Sequence, residues 1–200
     1  MNWRNALLSP WAKPVLMFLL AWPMAWLVYA AFHDLLGANP AEALTRQTGD
    51  WTLRGLCLVL AITPLRVVLN APGLLRLRRT VGVATFVYAL LHMLCYAWFD
   101  QGMVLDDIWR DILKRPFIWL GFSAFVLMCP LAMTSNNRAL RWLGGRRWQM
   151  LHRLVYAVAL LAVLHFFWMR TGKNNFAEVW VYAALLSALM AWRVWWWRQR

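Results

Sequence analysis

Six long apolar stretches decide what this chain can fold into. Residues 14–32, 51–70, 80–99, 116–137, 148–169 and 176–197 are each close to 20 residues long and carry few charges or none. A helix of about 20 apolar residues crosses a hydrocarbon core of roughly 30 Å. The charges that do occur lie near the ends: Arg54 and Arg66 in the second run, Arg153 in the fifth, Glu178 and Arg193 in the sixth. There they can snorkel to the interface. Pro23 interrupts the first run, which a helical bundle tolerates. Composition agrees, since 62% of residues are hydrophobic and 14% charged, against about 45–50% and 25% in average chains. So apolar a chain is not disordered. Its three cysteines, Cys57, Cys95 and Cys129, lie inside apolar runs without a CxxC pair, so it is not a disulfide scaffold either. The expected fold is all-α: an integral membrane bundle of six transmembrane helices, forming one domain over residues 1–200 with no separate soluble part. The first run is longer than a signal-peptide core of about 7–15 residues and is followed by a poor cleavage site, so it reads as a retained helix.

The net charge of +13 comes from 21 Lys and Arg against 8 Asp and Glu. The basic residues fall in short loops between apolar runs, where they set orientation in a membrane. That placement argues against nucleic acid, which needs a basic patch on a folded surface. Arg76, Arg78, Arg79, Arg138, Arg141, Arg146 and Arg147 share one side with both chain ends, and no acid joins them. The opposite side takes all eight acids: Asp34, Glu42, Asp50, Asp100, Asp106, Asp107, Asp111 and Glu178. The positive-inside bias then places both termini in the cytoplasm.

No run has a carboxylate in its middle, as a cation-coupled transporter usually requires. No nucleotide-binding glycine motif and no cysteine cluster for an iron–sulfur centre is present. Histidine remains. His33 lies at the outer end of the first run, where a polar residue needs no special role. At about 1.5 Å of rise per residue, His92 lies roughly 18 Å and His165 roughly 25 Å above the cytoplasmic ends of their helices, and His152 only about 6 Å. Two imidazoles at similar depth are what a six-coordinate b-type haem requires. The plainer alternative is that each ring hydrogen-bonds to a neighbouring helix. His152 and His165 do not share a helical stripe, so they suit separate haems or separate roles. The tryptophans at 192, 195, 196 and 197 fit an interfacial belt.

The strings around these histidines are Ile62-Thr63-Pro64-Leu65, Arg78-Arg79-x-x-Gly82, Leu91-His92, Arg115-Pro116-Phe117 and Thr134-Ser135. Two more follow, Trp148-x-x-Leu151-His152-x-Leu154-x-Tyr156 and His165-Phe166-x-Trp168. Together they resemble the haem-binding membrane subunits of bacterial periplasmic methionine sulfoxide reductase systems, the MsrQ or YedZ family of the ferric-reductase-like transmembrane group. The similarity covers nearly the whole chain. The resemblance implies a multi-pass protein of the bacterial inner membrane, with b-type haem (one or two) and FMN as cofactors. It implies electron transfer from the quinone pool to a periplasmic molybdopterin catalytic subunit, which reduces methionine sulfoxide and so repairs oxidised proteins. The sulfoxide-reducing site is expected on that partner. Motif matching makes His92, His152 and His165 haem-iron ligands; it assigns no residue to FMN or quinone. Ferric reductases and NADPH oxidases carry a further histidine where this sequence has Arg78, and append a nicotinamide domain after the last span. A chain stopping at Arg200 is expected not to take hydride from NAD(P)H by itself.

Arg54, Arg115, Arg170 and Lys173, near the outer ends, are candidates to pair with haem propionates. Asp100, Asp106, Asp107 and Asp111 crowd the loop after the third span and are candidates for docking a soluble partner. The competing functions are a stand-alone ferric or quinone reductase of b-cytochrome type, and a haem-free membrane assembly factor.

Overall fold

The computed structural model describes residues 3–172 and 175–199. Its helices are α1 (Trp3–Ala6), α2 (Ala12–Phe32), α3 (Pro40–Val68), α4 (Leu75–Cys95), α5 (Leu105–Lys114), α6 (Pro116–Met133), α7 (Asn137–His152), α8 (Leu154–Thr171) and α9 (Ala177–Arg198). A 3-10 turn at Pro72–Leu74 leads into α4, and a π-helical turn at Tyr96–Asp100 follows it. No strand occurs among the described residues. Six helical stretches are long and apolar enough to cross a membrane: Ala12–Phe32, Pro40–Val68, Pro72–Asp100, Pro116–Met133, Asn137–Thr171 and Ala177–Arg198. The protein is a multi-pass membrane protein.

Several helices reach beyond the apolar runs. α3 starts at Pro40 rather than near Trp51, because Asn39 caps it through the Glu42 N–H and Glu42 pairs with Arg46 one turn on, at 2.7 Å. α5 forms within what reads as a loop. α7 is a basic helix that runs into the start of the fifth apolar run, which is divided between α7 and α8 at Arg153; it is capped by Asn136 on the Ala139 N–H and broken at Gly144, whose φ of 74° lies in the left-handed region.

The chain divides into two compact units. The first comprises Met1–Cys95 with Ala188–Arg200. Within it α4 packs along α3 and against α2. Close approach of α3 and α4 depends on Gly55, where an added Cβ would lie 2.5 Å from Thr85 Oγ1. Prolines open the helical ladders at two places, and side chains close them. Beside Pro23, the Tyr88 hydroxyl donates to Leu20 O at 2.8 Å and accepts from the Met24 N–H at 3.1 Å. An unbroken helix would pair those two backbone groups with each other. Pro64 has no N–H to offer Leu60 O, and the Arg193 guanidinium donates to that carbonyl at 2.7 Å. The second unit is Tyr96–Ser187. Here α6 packs mainly against α8, with α5 and α7 also packed on α6.

Candidate functional site

His92 and His165 belong to different units, yet each is held by the same device. In the first unit His92, on α4, has Nδ1 2.8 Å from the Thr45 carbonyl of α3. One turn further along α3 stands Gly49, where a Cβ would lie 3.0 Å from His92 Cε1 and 3.1 Å from Nδ1. In the second unit His165, on α8, has Nδ1 2.7 Å from the Phe117 carbonyl of α6. One turn further along α6 stands Gly121, where a Cβ would lie 2.9 Å from both His165 Cε1 and Nδ1. In a helix each of these carbonyls also serves the N–H of the residue four positions on. The ring can reach a carbonyl already in the ladder because that residue is glycine.

The chemistry follows from the tautomer. A carbonyl only accepts, so Nδ1 of each ring carries the hydrogen and Nε2 carries the lone pair. A carbonyl on the second nitrogen is the usual way that a protein orients a ligating imidazole and raises its basicity.

His152 is held differently, through Nε2 and by a hydroxyl. His152 Nε2 lies 3.1 Å from the Thr134 hydroxyl oxygen, which is also 2.6 Å from Pro130 O. The ring stacks on Trp148 with centroids 3.8 Å apart, and Trp148 Nε1 donates to the Thr134 carbonyl at 2.9 Å. Thus Thr134, the residue that ends α6, holds His152 by its far nitrogen and is itself held by Trp148. His33 is exposed and lies against Tyr29, with ring centroids 4.2 Å apart. Among the described residues no group of three or more His, Cys, Asp or Glu could hold a metal ion.

A family model described as the ferric reductase like transmembrane component matches residues 48–163, a stretch that includes Gly49, His92, Gly121 and His152. The heme-binding subunit MsrQ of protein-methionine-sulfoxide reductase from Polaromonas naphthalenivorans is 60% identical over 189 residues, which is 94% of this chain and 86% of the relative. The chain belongs to the MsrQ family. MsrQ of Herminiimonas arsenicoxydans is 47% identical, over 94% of this chain and 87% of the relative. MsrQ of Caulobacter vibrioides is 43% identical, over 92% and 89%. No solved structure matches the chain.

Within this MsrQ fold the charged candidates fare differently. Arg54 lies over the Trp51 ring, 4.7 Å from its centroid. Arg170 pairs with Glu178 and lies over Phe166. Lys173, like Arg200 at the chain end, lies outside the described residues. Asp111 sits inside a polar cluster instead of facing solvent. Its carboxylate accepts from Arg115 through both Nε, at 2.5 Å, and Nη2, from Tyr96 at 2.6 Å, and from Gln101 at 3.1 Å. Burial by itself raises the Asp111 pKa, but the hydrogen bonds from Arg115 and Tyr96 outweigh it and hold the carboxyl below its ordinary value. The same pairing raises Arg115. Asp100, Asp106 and Asp107 are exposed.

Sequence reasoning missed Thr45, Gly49 and Gly121, and quoted Phe117 and Thr134 only within motif strings, without a role. A backbone carbonyl leaves no mark on residue type. The glycines do leave one, since a lone glycine in a helical run that lacks a cap or turn signals a close approach. Gly121, inside the fourth apolar run, was legible in that way.

Proposed function

We propose that this chain is a haem-binding electron-transfer subunit of the bacterial inner membrane. In this reading it passes electrons from the quinone pool to a periplasmic molybdopterin methionine sulfoxide reductase that repairs oxidised proteins. The observation that carries the reading is the repeated arrangement at His92 and His165: an Nδ1–H fixed on a helix carbonyl, over a glycine that admits the ring. The heme-binding name borne by relatives up to 60% identical supports it.

Haem supplies reversible one-electron chemistry when bound. The chain's own residues do the rest. Thr45 O and Phe117 O fix the two ring planes and direct the Nε2 lone pairs away from the supporting helices. The similar depth that the sequence gives His92 and His165 supports both as residues that would hold haem iron, each through Nε2. His152, held at Nε2 by the Thr134 hydroxyl, serves separately. Arg54, Arg115, Arg170 and Lys173 are the cations offered to propionates; Arg115 and Arg170 would share them with Asp111 and Glu178. Asp106 and Asp107, with Asp100, form the acidic face for the soluble partner. FMN enters from the family resemblance alone, and no residue is assigned to it. Both termini lie in the cytoplasm, following the basic loops.

The test is the optical spectrum of the purified full-length protein. A Soret band with sharp reduced α-bands, bleached and restored by quinone and quinol, is expected. A colourless preparation from cells supplied with haem precursor would overturn the reading in favour of a haem-free bundle.

A further inference from the structure

α5 (Leu105–Lys114) is the one helix of eight or more residues, among those described, that lies outside the membrane-length stretches. Its residues sort onto two arcs. At about 100° per residue, Ile108, Ile112, Leu105, Trp109 and Leu113 fall within one arc of roughly 140°. Asp106, Arg110, Lys114 and Asp107 occupy the other side. The apolar arc is itself divided. Ile112 is 3% exposed and packed inward, whereas Leu105, Trp109 and Leu113 are 79%, 57% and 62% exposed. The helix therefore keeps one apolar flank on the protein and leaves the adjacent one open.

Three observations say what covers the open flank. α5 is tethered at both ends to stretches of membrane-spanning length: the turn 101–104 joins it to the π-helical turn ending at Asp100, and Arg115 alone separates it from α6. A four-residue link extends at most roughly 14 Å. Second, the apolar side chains that precede α5 are exposed as well: Trp98 and Phe99 at the adjoining span end, and Met103 and Val104 in the turn. Third, the cluster of Asp111 with Tyr96 and Arg115 clasps the helix against its own unit, which fixes its rotation. With Ile112 inward, the flank of Leu105, Trp109 and Leu113 and the charged arc of Asp107 and Lys114 face different ways.

We infer that α5 is an interfacial helix, lying in the headgroup region of the bilayer with Leu105, Trp109 and Leu113 inserted among lipid chains and Asp107, Arg110 and Lys114 turned to water. Its partner is a phospholipid surface. A Trp flanked by two Leu on a short amphipathic helix is the composition that such a position selects. The inference rests on the membrane fold and is independent of haem binding. It also gives the acidic candidates an orientation: α5 is anchored through one arc and displays Asp107 on the other.

The experiment is spin labelling of the full-length chain in bilayers of phosphatidylethanolamine and phosphatidylglycerol. Single cysteines are introduced as Leu105→Cys, Trp109→Cys, Leu113→Cys, Asp107→Cys and Arg110→Cys, with Cys57, Cys95 and Cys129 changed to Ala. The ratio of oxygen to nickel-chelate accessibility should be severalfold higher at 105, 109 and 113 than at 107 and 110. Equal ratios at all five positions, or nickel access at 105, 109 and 113, would overturn the inference and leave an apolar face open to a soluble protein. If the cysteine-free background does not fold, a photoactivatable phospholipid on the unmodified chain serves instead. Adducts should concentrate on Leu105, Trp109 and Leu113, and a chain labelled on its spans but not on these residues would contradict it.

Discussion

At the scale of single residues, the two glycines beside the histidine rings matter as much as the rings. Gly121→Ala would place a methyl group 2.9 Å from two atoms of His165, and Gly49→Ala one 3.0 Å from His92. Overpacking of this kind costs about 1–3 kcal/mol, and here the strain falls on the imidazole or on the hydrogen bond that orients it. Each substitution is expected to lower haem occupancy and shift the low-spin spectrum. Gly82→Ala, whose Cβ would meet only Val59 at 3.9 Å, should leave both unchanged. Spectra of the three purified variants, normalised to protein, check this; full occupancy with an unshifted spectrum in Gly121→Ala would contradict the role given to the glycine. The histidines themselves were legible from charge-free runs and depth. Their hydrogen-bond partners were not, because these are backbone carbonyls for His92 and His165 and a hydroxyl for His152.

At the scale of elements, what holds a helix together here often comes from another helix. Tyr88→Phe removes the hydroxyl that bridges Leu20 O and the Met24 N–H. Two backbone groups lose a partner, at about 1–3 kcal/mol for a buried group left unsatisfied. The thermal midpoint in detergent should fall. Adding Pro23→Ala should recover part of the loss, since a straight α2 can pair those groups internally; a purely additive double variant would contradict the bridge. α5 gives a pH prediction. Asp111 has a depressed pKa in the folded protein, so its contribution is complete above the ordinary carboxylate value of about 4 and is lost as pH falls through the depressed one. Hydrogen exchange of α5 should accelerate in that acid range, and Asp111→Asn should show the faster exchange at neutral pH already. The apolar runs revealed the spans but neither α5 nor α7. In α5 the signal was present, as five apolar residues on one arc, but ten residues are too few to stand out between two strong spans. In α7 the arginines that set orientation also concealed a capped helix.

At the scale of the whole molecule, the proposed orientation follows from the one-sided charge distribution. Reporter fusions at either terminus should be active only in the cytoplasm, and a fusion after Asp107 only in the periplasm. Asp106→Asn with Asp107→Asn should slow electron delivery to the soluble reductase, most visibly at low salt, because screening weakens exposed charges beyond about 10 Å at 0.1 M. Haem content and reduction by quinol should not change. In the proposed arrangement His92 and His165, each held by Nδ1 on a helix carbonyl, would present Nε2 to iron, while His152, held by Nε2, serves separately. Haem per polypeptide, measured together with the low-temperature electron paramagnetic resonance spectrum of the oxidised protein, tests it most directly. His92→Ala and His165→Ala should each lose the same low-spin signal together with its share of haem. His152→Ala should retain that signal. Retention of the signal in either of the first two variants, or its loss in His152→Ala alone, would contradict the account.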